Sequence, residues 1–470
     1  MYIQQLYTGC LSEAAYYIES DGEAAIIDPL RDIEVYLQLA AERKARIKYI
    51  FETHFHADFV SGHLDLAKAT QAPIVYGPGT VTSFPAQIAS DGAEFSIGRL
   101  KLVVLHTPGH TLESSCYLLK DENGKDYCLF TGDTLFVGDV GRPDLAQKDA
   151  EITTADLAGM LYDSLQTKLM PLADDVLVYP AHGPGSSCGK NLGPDTHSTI
   201  GEEKRSNYAL QAADKQAFIA AVTDGIPPPP AYFPINARIN REGYDSLDAV
   251  LEKALRALSI DRFKELASQD NTIILDTRHS DTFTRGFIPD SISIGLNGRF
   301  AEWAGSLLPF NVPILLVADA GQEKESIIRL ARVGLDQVQG YLDGGFEAWQ
   351  KAGETIDLII DVEADELLMD QRFDDNLVVV DVRKPAEFAE GHLKDAVNLP
   401  LSEMTDPAKL SNFEDHHNIY VHCAGGYRSV IAASLLKRQG IHNLRNVEGG
   451  WAQIKAQEKV EIVKETSMLN

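Results

Sequence analysis

The chain has 470 residues, of which 44% are hydrophobic, and a formal net charge of −27 at pH 7. This length predicts roughly two to four domains, each with enough apolar residues to bury a core. The strong negative charge argues against nucleic acids and anionic membranes as partners, because both are bound through basic surfaces.

The chain begins with a pattern that is typical of strands and turns, without the basic start and long apolar run of a signal peptide. No apolar run approaches the roughly 18 residues of a transmembrane helix. The five cysteines are odd in number and widely separated, so they predict free thiols rather than a disulfide framework. These features together favour a cytoplasmic protein.

Four apolar runs in the first half of the chain each end in a side chain that can bind a metal. The side chains at these four ends are His54 and His56, His110, Asp133, and His182. Strand ends gather at one edge of a sheet, and His and Asp are ordinary ligands of zinc and iron. The sequence therefore predicts a metal site in the first domain.

The stretch FETHFHADFVSGH (51–63) places a phenyl ring where a second metal site would need another ligand. Phe59 offers no lone pair, which leaves Asp58, His182 and a shared Asp133 for the second metal. A mononuclear centre is therefore favoured over a dinuclear one. Two His and one carboxylate with open positions are typical of non-haem Fe(II) oxygenases.

The segments THFHAD, TPGH, TGD and PAHG, in this order, resemble the metallo-β-lactamase superfamily. The resemblance implies a four-layer αββα sandwich with the metal site at its edge. Dinuclear hydrolases of the superfamily, such as glyoxalase II, have His where this chain has Phe59.

Persulfide dioxygenases of the same superfamily are the closer resemblance. By that resemblance His54, His110 and Asp133 would hold one Fe(II), with zinc as the less favoured metal. His56, Asp58 and His182 would then orient the ligands or the substrate, or serve as further ligands.

Two loop residues downstream have open roles. Arg142, in GDVGRPDL, would bind substrate by the same resemblance, or would simply pair with Asp139 or Asp144. Cys188 lies six residues after His182, where it would either relay sulfur beside the metal or pack as an inert thiol.

A stiff connector, GIPPPPAYFP (225–234), precedes an internal repeat. The stretch that begins at Ile274, ILDTRHSDTFTRGF, matches the stretch that begins at Val379, VVDVRKPAEFAEGH, and pairs Asp276 with Asp381. Two copies of one α/β unit follow from this match. We therefore expect three domains, at about 1–240, 245–355 and 360–470.

The second copy contains HCAGGYRS (422–429), in which Cys423 ends a strand and Arg428 follows five residues later. A short loop that leads into a helix points backbone N–H groups inward and stabilises a thiolate or persulfide. Cys423 is the predicted nucleophile and Arg428 its catalytic partner. The motif resembles rhodaneses, and Cys-x₅-Arg phosphatases are the competing interpretation. The first copy has Asp319 in place of the cysteine and Lys324 in place of the arginine, so we expect it to be inactive.

Taken together, the motifs resemble bacterial fusions of a persulfide dioxygenase with a sulfurtransferase. The resemblance implies oxidation of a small persulfide by dioxygen to sulfite, and conversion of sulfite to thiosulfate at Cys423, in the detoxification of sulfide. It also implies a homo-oligomer. Two alternatives remain: a glyoxalase II-like zinc thioester hydrolase, and a sulfurtransferase whose metal domain is a scaffold.

Overall fold

The computed structural model describes residues 1–145, 152–190, 192–410, 413, 416–458 and 460–465. The chain forms two compact units, Met1–Ala249 with Ala331–Gly334, and Val250–Leu330 with Leu335–Asn470. Among the helices of the described residues, none has the length and apolar character that a bilayer crossing requires.

The first unit contains two six-stranded sheets. The strands of the first sheet are β1 (Tyr2–Thr8), β2 (Glu13–Ser20), β3 (Glu23–Ile27), β4 (Arg46–Phe51), β5 (Ile74–Tyr76) and β6 (Gln87–Ile88). The strands of the second sheet are β7 (Glu94–Ile97), β8 (Leu100–His106), β9 (Ser115–Lys120), β10 (Asp126–Gly132), β11 (Leu177–Pro180) and β12 (Ser198–Thr199). Each sheet follows chain order, the first as β1-β2-β3-β4-β5-β6 and the second as β12-β11-β10-β9-β8-β7. The helices here are α1 (Glu34–Arg43), α2 (His63–Thr70), α3 (Thr154–Ser164, continued by a π-helix over Leu165–Leu169), α4 (Ile200–Ser206), α5 (Lys215–Thr223) and α6 (Phe233–Glu242). Helix α7 (Leu247–Ala254) begins in the first unit and ends in the second.

Neighbouring side chains on a strand point to opposite faces of a sheet, and this alternation shows the layers. Tyr16 of β2 packs against Phe130 of β10 in the core between the two sheets, with ring centroids 4.9 Å apart. Tyr17, the next residue, packs with Tyr36 in the core under α1, and Leu129 packs in the core under α3. Helices therefore cover both outer faces, and the predicted αββα sandwich is confirmed.

The second unit begins with a parallel sheet of five strands in the order β13-β17-β16-β14-β15. These strands are β13 (Ala257–Leu258), β14 (Ile273–Asp276), β15 (Ile292–Ser293), β16 (Ile314–Val317) and β17 (Val338–Leu342). Its helices are α8 (Ile260–Ala267), α9 (Ser280–Thr284), α10 (Phe300–Leu307), α11 (Glu323–Ala331) and α12 (Gly345–Lys351).

A second parallel sheet of five strands follows, in the order β18-β23-β22-β19-β21. The strands of this region are β18 (Ile360–Val362), β19 (Leu377–Asp381), β20 (His392–Leu393), β21 (Val397–Asn398), β22 (Asn418–His422), β23 (Leu444–Val447) and β24 (Ile462–Val463), of which β20 and β24 form a separate antiparallel pair. The helices are α13 (Ala364–Asp370), α14 (Pro385–Glu390), a 3-10 turn (Leu401–Glu403), α15 (Pro407–Leu410), α16 (Tyr427–Arg438) and α17 (Gly450–Ile454). We call the sheet of β13–β17 with its helices the first copy, and that of β18–β24 the second copy.

The same ion pair supports both copies at the end of a central strand. Arg278 pairs with Asp276 and donates through Nη2 to the carbonyl of Gly286, 2.9 Å away. Arg383 pairs with Asp381 and donates in the same way to the carbonyl of Gly391, at 2.8 Å. The sequence repeat is thus a repeat of structure.

Helix α16 of the second copy is buried along most of its length, from Ser429 to Lys437. It packs on β22 and β23 of its own sheet and also on β15 and α9 of the first copy. Ser434 Oγ accepts a hydrogen bond of 3.0 Å from the backbone N–H of Ser293. A helix that is buried on both sides joins the two copies into one packed structure.

Candidate metal centre and thiol site

Four strand ends of the first unit bring their polar side chains to one edge of the sandwich. His54 follows β4, His110 follows β8, Asp133 follows β10 and His182 follows β11. All four side chains are buried. Asp133 lies at the centre, because its Oδ2 is 3.4 Å from His110 Nε2 and 3.7 Å from His54 Nε2, and its Oδ1 is 3.5 Å from His182 Nε2.

The ring of His54 is oriented by a chain of hydrogen bonds that leaves one nitrogen available. The hydroxyl of Thr53 donates to Asp28 Oδ2 at 2.9 Å, so its oxygen accepts from His54 Nδ1, also at 2.9 Å. Burial, and then the nearby His rings beginning with His56, hold the pKa of His54 well below its usual value. His54 is therefore a neutral imidazole whose Nε2 lone pair faces Asp133, as metal coordination requires.

Backbone carbonyls orient the other two rings in the same way. His110 Nδ1 donates to the carbonyl of Arg142 at 2.9 Å, and His182 Nδ1 donates to the carbonyl of Ser12 at 3.2 Å. Each ring thus uses Nδ1 on the protein and presents Nε2 to the centre.

These residues fit a divalent cation. Both carboxylate oxygens of Asp133 are buried and lack a hydrogen-bond partner among the described residues, as does His182 Nε2. Ligand atoms of His54, His110 and Asp133 all lie within 4.8 Å of one another. A buried carboxylate without a partner is costly, and a cation at this point would remove that cost. Two His and one Asp suit iron(II), and zinc also accepts these donors.

His56 is held differently from the other three His rings. Its Nε2 lies 3.0 Å from Asp28 Oδ1 and 3.4 Å from Glu52 Oε2, and its ring stacks on Phe59 with centroids 4.3 Å apart. Burial lowers the pKa of His56, but the Asp28 and Glu52 carboxylates outweigh burial and raise it well above the usual value. The His56 ring is therefore held by two carboxylates, unlike the other three His rings.

A second group that can hold a metal nevertheless lies beside the first. His56, Asp58 and His182 offer ligand atoms within 4.8 Å of one another, and Asp58 Oδ2 is 3.5 Å from His182 Nε2. Burial raises the pKa of Asp58 above its usual value. This group contains the residues that the sequence analysis left as orienting residues or further ligands, and it is the structural basis for a dinuclear alternative.

Sequence reasoning missed three residues that shape this centre. Asp28 and Glu52 bind His56, as described above, and burial raises the pKa of Glu52 to about 7. Asn240 of α6 donates to the carbonyls of His56 and Phe59, at 2.8 and 2.7 Å, and accepts from the N–H of Ser61 at 2.9 Å. Asp28 could have been predicted from the sequence, because it directly follows the strand β3. No sequence pattern indicated Asn240, which is a single Asn on a helix that is distant in sequence.

Arg142 is buried in contacts with its own surroundings. Its Nε and Nη2 donate to Asp144 at 2.7 and 2.8 Å, and its Nη groups donate to the carbonyls of Ser187 and Pro227. The structure thus shows the Asp144 pairing that the sequence left open. Substrate binding by Arg142 remains a prediction.

Cys188 lies beside the metal centre. Its sulfur is within 4.8 Å of ligand atoms of Asp133 and His182, and the residue is buried. Burial, together with the negative charges of Asp58 and Asp133, raises the pKa of the thiol well above its usual value. Cys188 is therefore held as a thiol, and a role in sulfur relay remains a prediction.

The thiol site of the second copy is built on the loop between β22 and α16. Cys423 follows β22 directly, and its Sγ accepts a hydrogen bond of 3.1 Å from the N–H of Gly426. Helix α16 begins at Tyr427, so the thiol lies at its N-terminal end. Backbone N–H groups at this position favour negative charge on sulfur.

Arg428 is anchored by a carboxylate that the sequence analysis did not include. Its Nη1 and Nη2 donate to the two oxygens of Glu387, at 2.7 and 2.8 Å. Partial burial raises the pKa of Glu387, but the hydrogen bonds from Arg428 outweigh burial and lower it below the usual value. Glu387 thus positions Arg428 beside the Cys423 loop.

The corresponding loop of the first copy has no thiol. Asp319 follows β16 and is exposed, and Lys324 lies in the first turn of α11. A carboxylate at this position forms no persulfide and repels anions.

The fold and site define a protein with an αββα metal domain and two α/β domains, one of which carries a cysteine loop. A family model of the metallo-beta-lactamase superfamily matches residues 8–182, and the model of the rhodanese-like domain matches residues 259–352 and 363–457. A metallo-beta-lactamase from Staphylococcus aureus, solved at 2.1 Å, is 32% identical, with a TM-score of 0.64 over 73% of this chain and 98% of that chain. The chain belongs to the metallo-beta-lactamase superfamily and continues into two rhodanese-like domains.

Two further similarities each cover about half of the chain. A probable hydroxyacylglutathione hydrolase of Schizosaccharomyces pombe is 27% identical over 237 residues, which is 45% of this chain and 87% of that protein. The crystal structure of ETHE1 from Myxococcus xanthus is 32% identical and covers 51% of this chain and 98% of that chain, with a TM-score of 0.44.

Proposed function

We propose that the protein is an iron(II)-dependent persulfide dioxygenase that passes sulfite to Cys423 for conversion to thiosulfate. The observation that carries the proposal is the set of His54, His110 and Asp133 around one point, while His56 is bound by two carboxylates and stacked on Phe59. Two imidazoles and one carboxyl group as ligands leave coordination positions for a substrate.

Iron(II) in this site would supply the activation of dioxygen and the acceptance of the persulfide sulfur. The protein's own part is to fix the rings of His54 and His110, through Thr53 and through the carbonyl of Arg142, and to keep the centre buried. The fixed Nε2 positions avoid reorganisation when the substrate binds.

The second stage takes place at Cys423. Its thiolate attacks the outer sulfur of a second persulfide, RS–SH, so that a new S–S bond forms and the thiolate RS⁻ leaves. Sulfite then attacks the outer sulfur of the Cys423 persulfide, and thiosulfate leaves as the Cys423 thiolate is restored. The N–H of Gly426 stabilises the negative sulfur at the start and at the end of the cycle.

Oxygen uptake and metal content, measured on one iron-reconstituted sample, test the proposal. We expect about one iron per chain and uptake that depends on a small persulfide. With Cys423→Ser, uptake should continue while sulfite accumulates in place of thiosulfate. Unchanged activity of His110→Ala would instead indicate a sulfurtransferase with a scaffold metal domain.

A zinc-dependent thioester hydrolase is the second candidate, favoured by the group His56, Asp58 and His182 beside the first ligand set. The similarity to a probable hydroxyacylglutathione hydrolase points the same way. Two zinc ions per chain, no oxygen uptake and hydrolysis of a glutathione thioester would establish this candidate and exclude the first.

A further inference from the structure

A cavity of about 510 Å³ lies in the second unit beside the loop that holds Cys423. It is lined at the ends of three neighbouring strands of the second copy, with Glu363 after β18, Gly425 and Gly426 after β22, and Glu448 after β23. Ligands of parallel α/β sheets bind at this edge. Residues of α9 in the first copy also line the cavity, so both copies contribute to it.

The cavity is strongly acidic, and we therefore call it the acidic groove. One cation, Arg285, lines it together with five carboxylate residues, which are Asp281, Asp361, Glu363, Asp365 and Glu448. Such an excess of one charge in a recess raises the local concentration of ligands of opposite charge.

Asn446 adds an independent sign of a ligand that donates hydrogen bonds. It lines the acidic groove and is only 4% exposed. Its Nδ2 donates to Asp361 at 2.8 Å, but its Oδ1 has no hydrogen-bond partner among the described residues. A buried acceptor without a partner is unfavourable, and a donor such as an ammonium group would satisfy it.

The acidic groove borders the loop that holds Cys423. Gly425 and Gly426 line the groove, and the N–H of Gly426 is bonded to Cys423 Sγ at 3.1 Å. A molecule in the groove therefore lies along the loop on which sulfur is loaded. A size of about 510 Å³ is in the range of small-molecule sites.

We propose that the acidic groove selects the sulfur carrier of Cys423, and that this carrier is a small persulfide with an ammonium group. The proposal rests on the proposed function, in which Cys423 accepts sulfur from a persulfide. The ammonium group contacts the carboxylates while the thiolate of Cys423 attacks the outer sulfur of RS–SH, and the amino-thiol leaves as RS⁻. Carriers with several phosphates or carboxylates are disfavoured by the same charges.

The effect of carrier charge can be tested with three carriers of nearly equal size, which are the 2-aminoethyl, 2-hydroxyethyl and 2-carboxyethyl persulfides. Single-turnover loading of Cys423 in the full chain is followed by intact mass. We expect the ammonium carrier to load about tenfold faster than the carboxylate carrier at low salt, with the hydroxyl carrier between them. Added salt should reduce this preference.

A double variant tests whether the carboxylates of the acidic groove cause this preference between carriers. Asp365→Asn combined with Glu448→Gln should slow the ammonium carrier and speed the carboxylate carrier, so that their ratio falls about threefold or more. Glu366→Gln is the matched control, because Glu366 is the exposed neighbour of Asp365 and does not line the groove. A change of the same sign for all three carriers would indicate mere structural damage and would overturn the proposal.

The remaining outcomes distinguish this proposal from the proposed function. If the three carriers load Cys423 at equal rates and the double variant changes none of these rates, the proposed selection by the acidic groove is wrong. Sulfur transfer at Cys423 would still stand. No loading by any carrier, with the Cys423 thiol shown to be free, would overturn the proposed function together with the groove.

Discussion

The two rhodanese-like copies have the same strand order and the same Asp–Arg pair, but they differ in the loop after the central strand. In the second copy this loop holds Cys423 against the N–H of Gly426. In the first copy it carries the exposed Asp319. Apolar strands and one buried ion pair therefore maintain the fold in both copies, while a few loop residues decide whether a thiol is present.

The largest effect is expected from the nucleophile itself. Cys423→Ser should reduce sulfur transfer by about 1000-fold or more, because a hydroxyl at this position cannot form a persulfide. Asp319→Ala, at the matching place of the first copy, should leave transfer unchanged. Thiosulfate formation by the full chain measures both, and a loss in Asp319→Ala would show that the first copy takes part in the chemistry.

The shared ion pair should contribute equally to the two copies. Asp276→Asn and Asp381→Asn each leave a buried Arg without its charge partner, since both carboxylates are fully buried. We expect each change to lower the free energy of unfolding by about 3 kcal/mol in a urea titration. Asp270→Asn, a change at an exposed residue, is the control. If either Asp276→Asn or Asp381→Asn left the free energy of unfolding unchanged, the ion pair would not contribute equally to the two copies.

The next-largest effect is expected from a change at a close contact between the two copies. Tyr427, at the start of α16, donates to the carbonyl of Gly295 at 2.8 Å, and a Cβ added at Gly298 would lie 2.3 Å from its ring. Gly298→Ala must displace Tyr427 and the adjoining Cys423 loop, and we expect about a tenfold loss of sulfur transfer.

The control for this change lies in the second copy. Gly391→Ala would meet only ordinary contacts, the nearest at 3.5 Å. Equal rates for Gly298→Ala and Gly391→Ala would mean that the first copy does not position the thiol loop.

The smallest effect concerns the pair of Arg428 and Glu387, which has no counterpart in the loop of the first copy. Because the folded pKa of Glu387 is below its ordinary value of 4.5, the pair adds stability above that pH and loses it as pH falls through the folded pKa. Glu387→Gln should cost about 0.5–1 kcal/mol at pH 7, since both groups are partly exposed. Urea unfolding of the wild type and variant should converge in acid, and a constant difference would contradict this account.

Much of the first unit was predictable because its candidate metal ligands follow strands. The apolar runs before His54, His110 and Asp133 indicated both the strands and the common edge to which they lead. Phe59 indicated a weakened second metal position, since the identity of one side chain is enough to remove a donor.

Other parts of the sites depend on proximity that the sequence does not encode locally. Asp28 and Glu52 belong to neighbouring strands, and only the pairing of β3 with β4 brings them both to His56. Glu387 is distant in sequence from Arg428, and the carboxylates of the acidic groove come from separate elements of both copies. Local sequence patterns do not predict that residues so far apart in the chain come into contact.

The burial of α16 between the two copies limits how this chain can be divided. A fragment that began near residue 360 would expose to water the side of α16 that packs on β15 and α9. Such a piece would be prone to self-association, and its thiol loop would lack the support of Gly295. The copy without a cysteine is therefore expected to be required for the second copy to fold, and deletion mapping would score it as essential even if it performs no reaction.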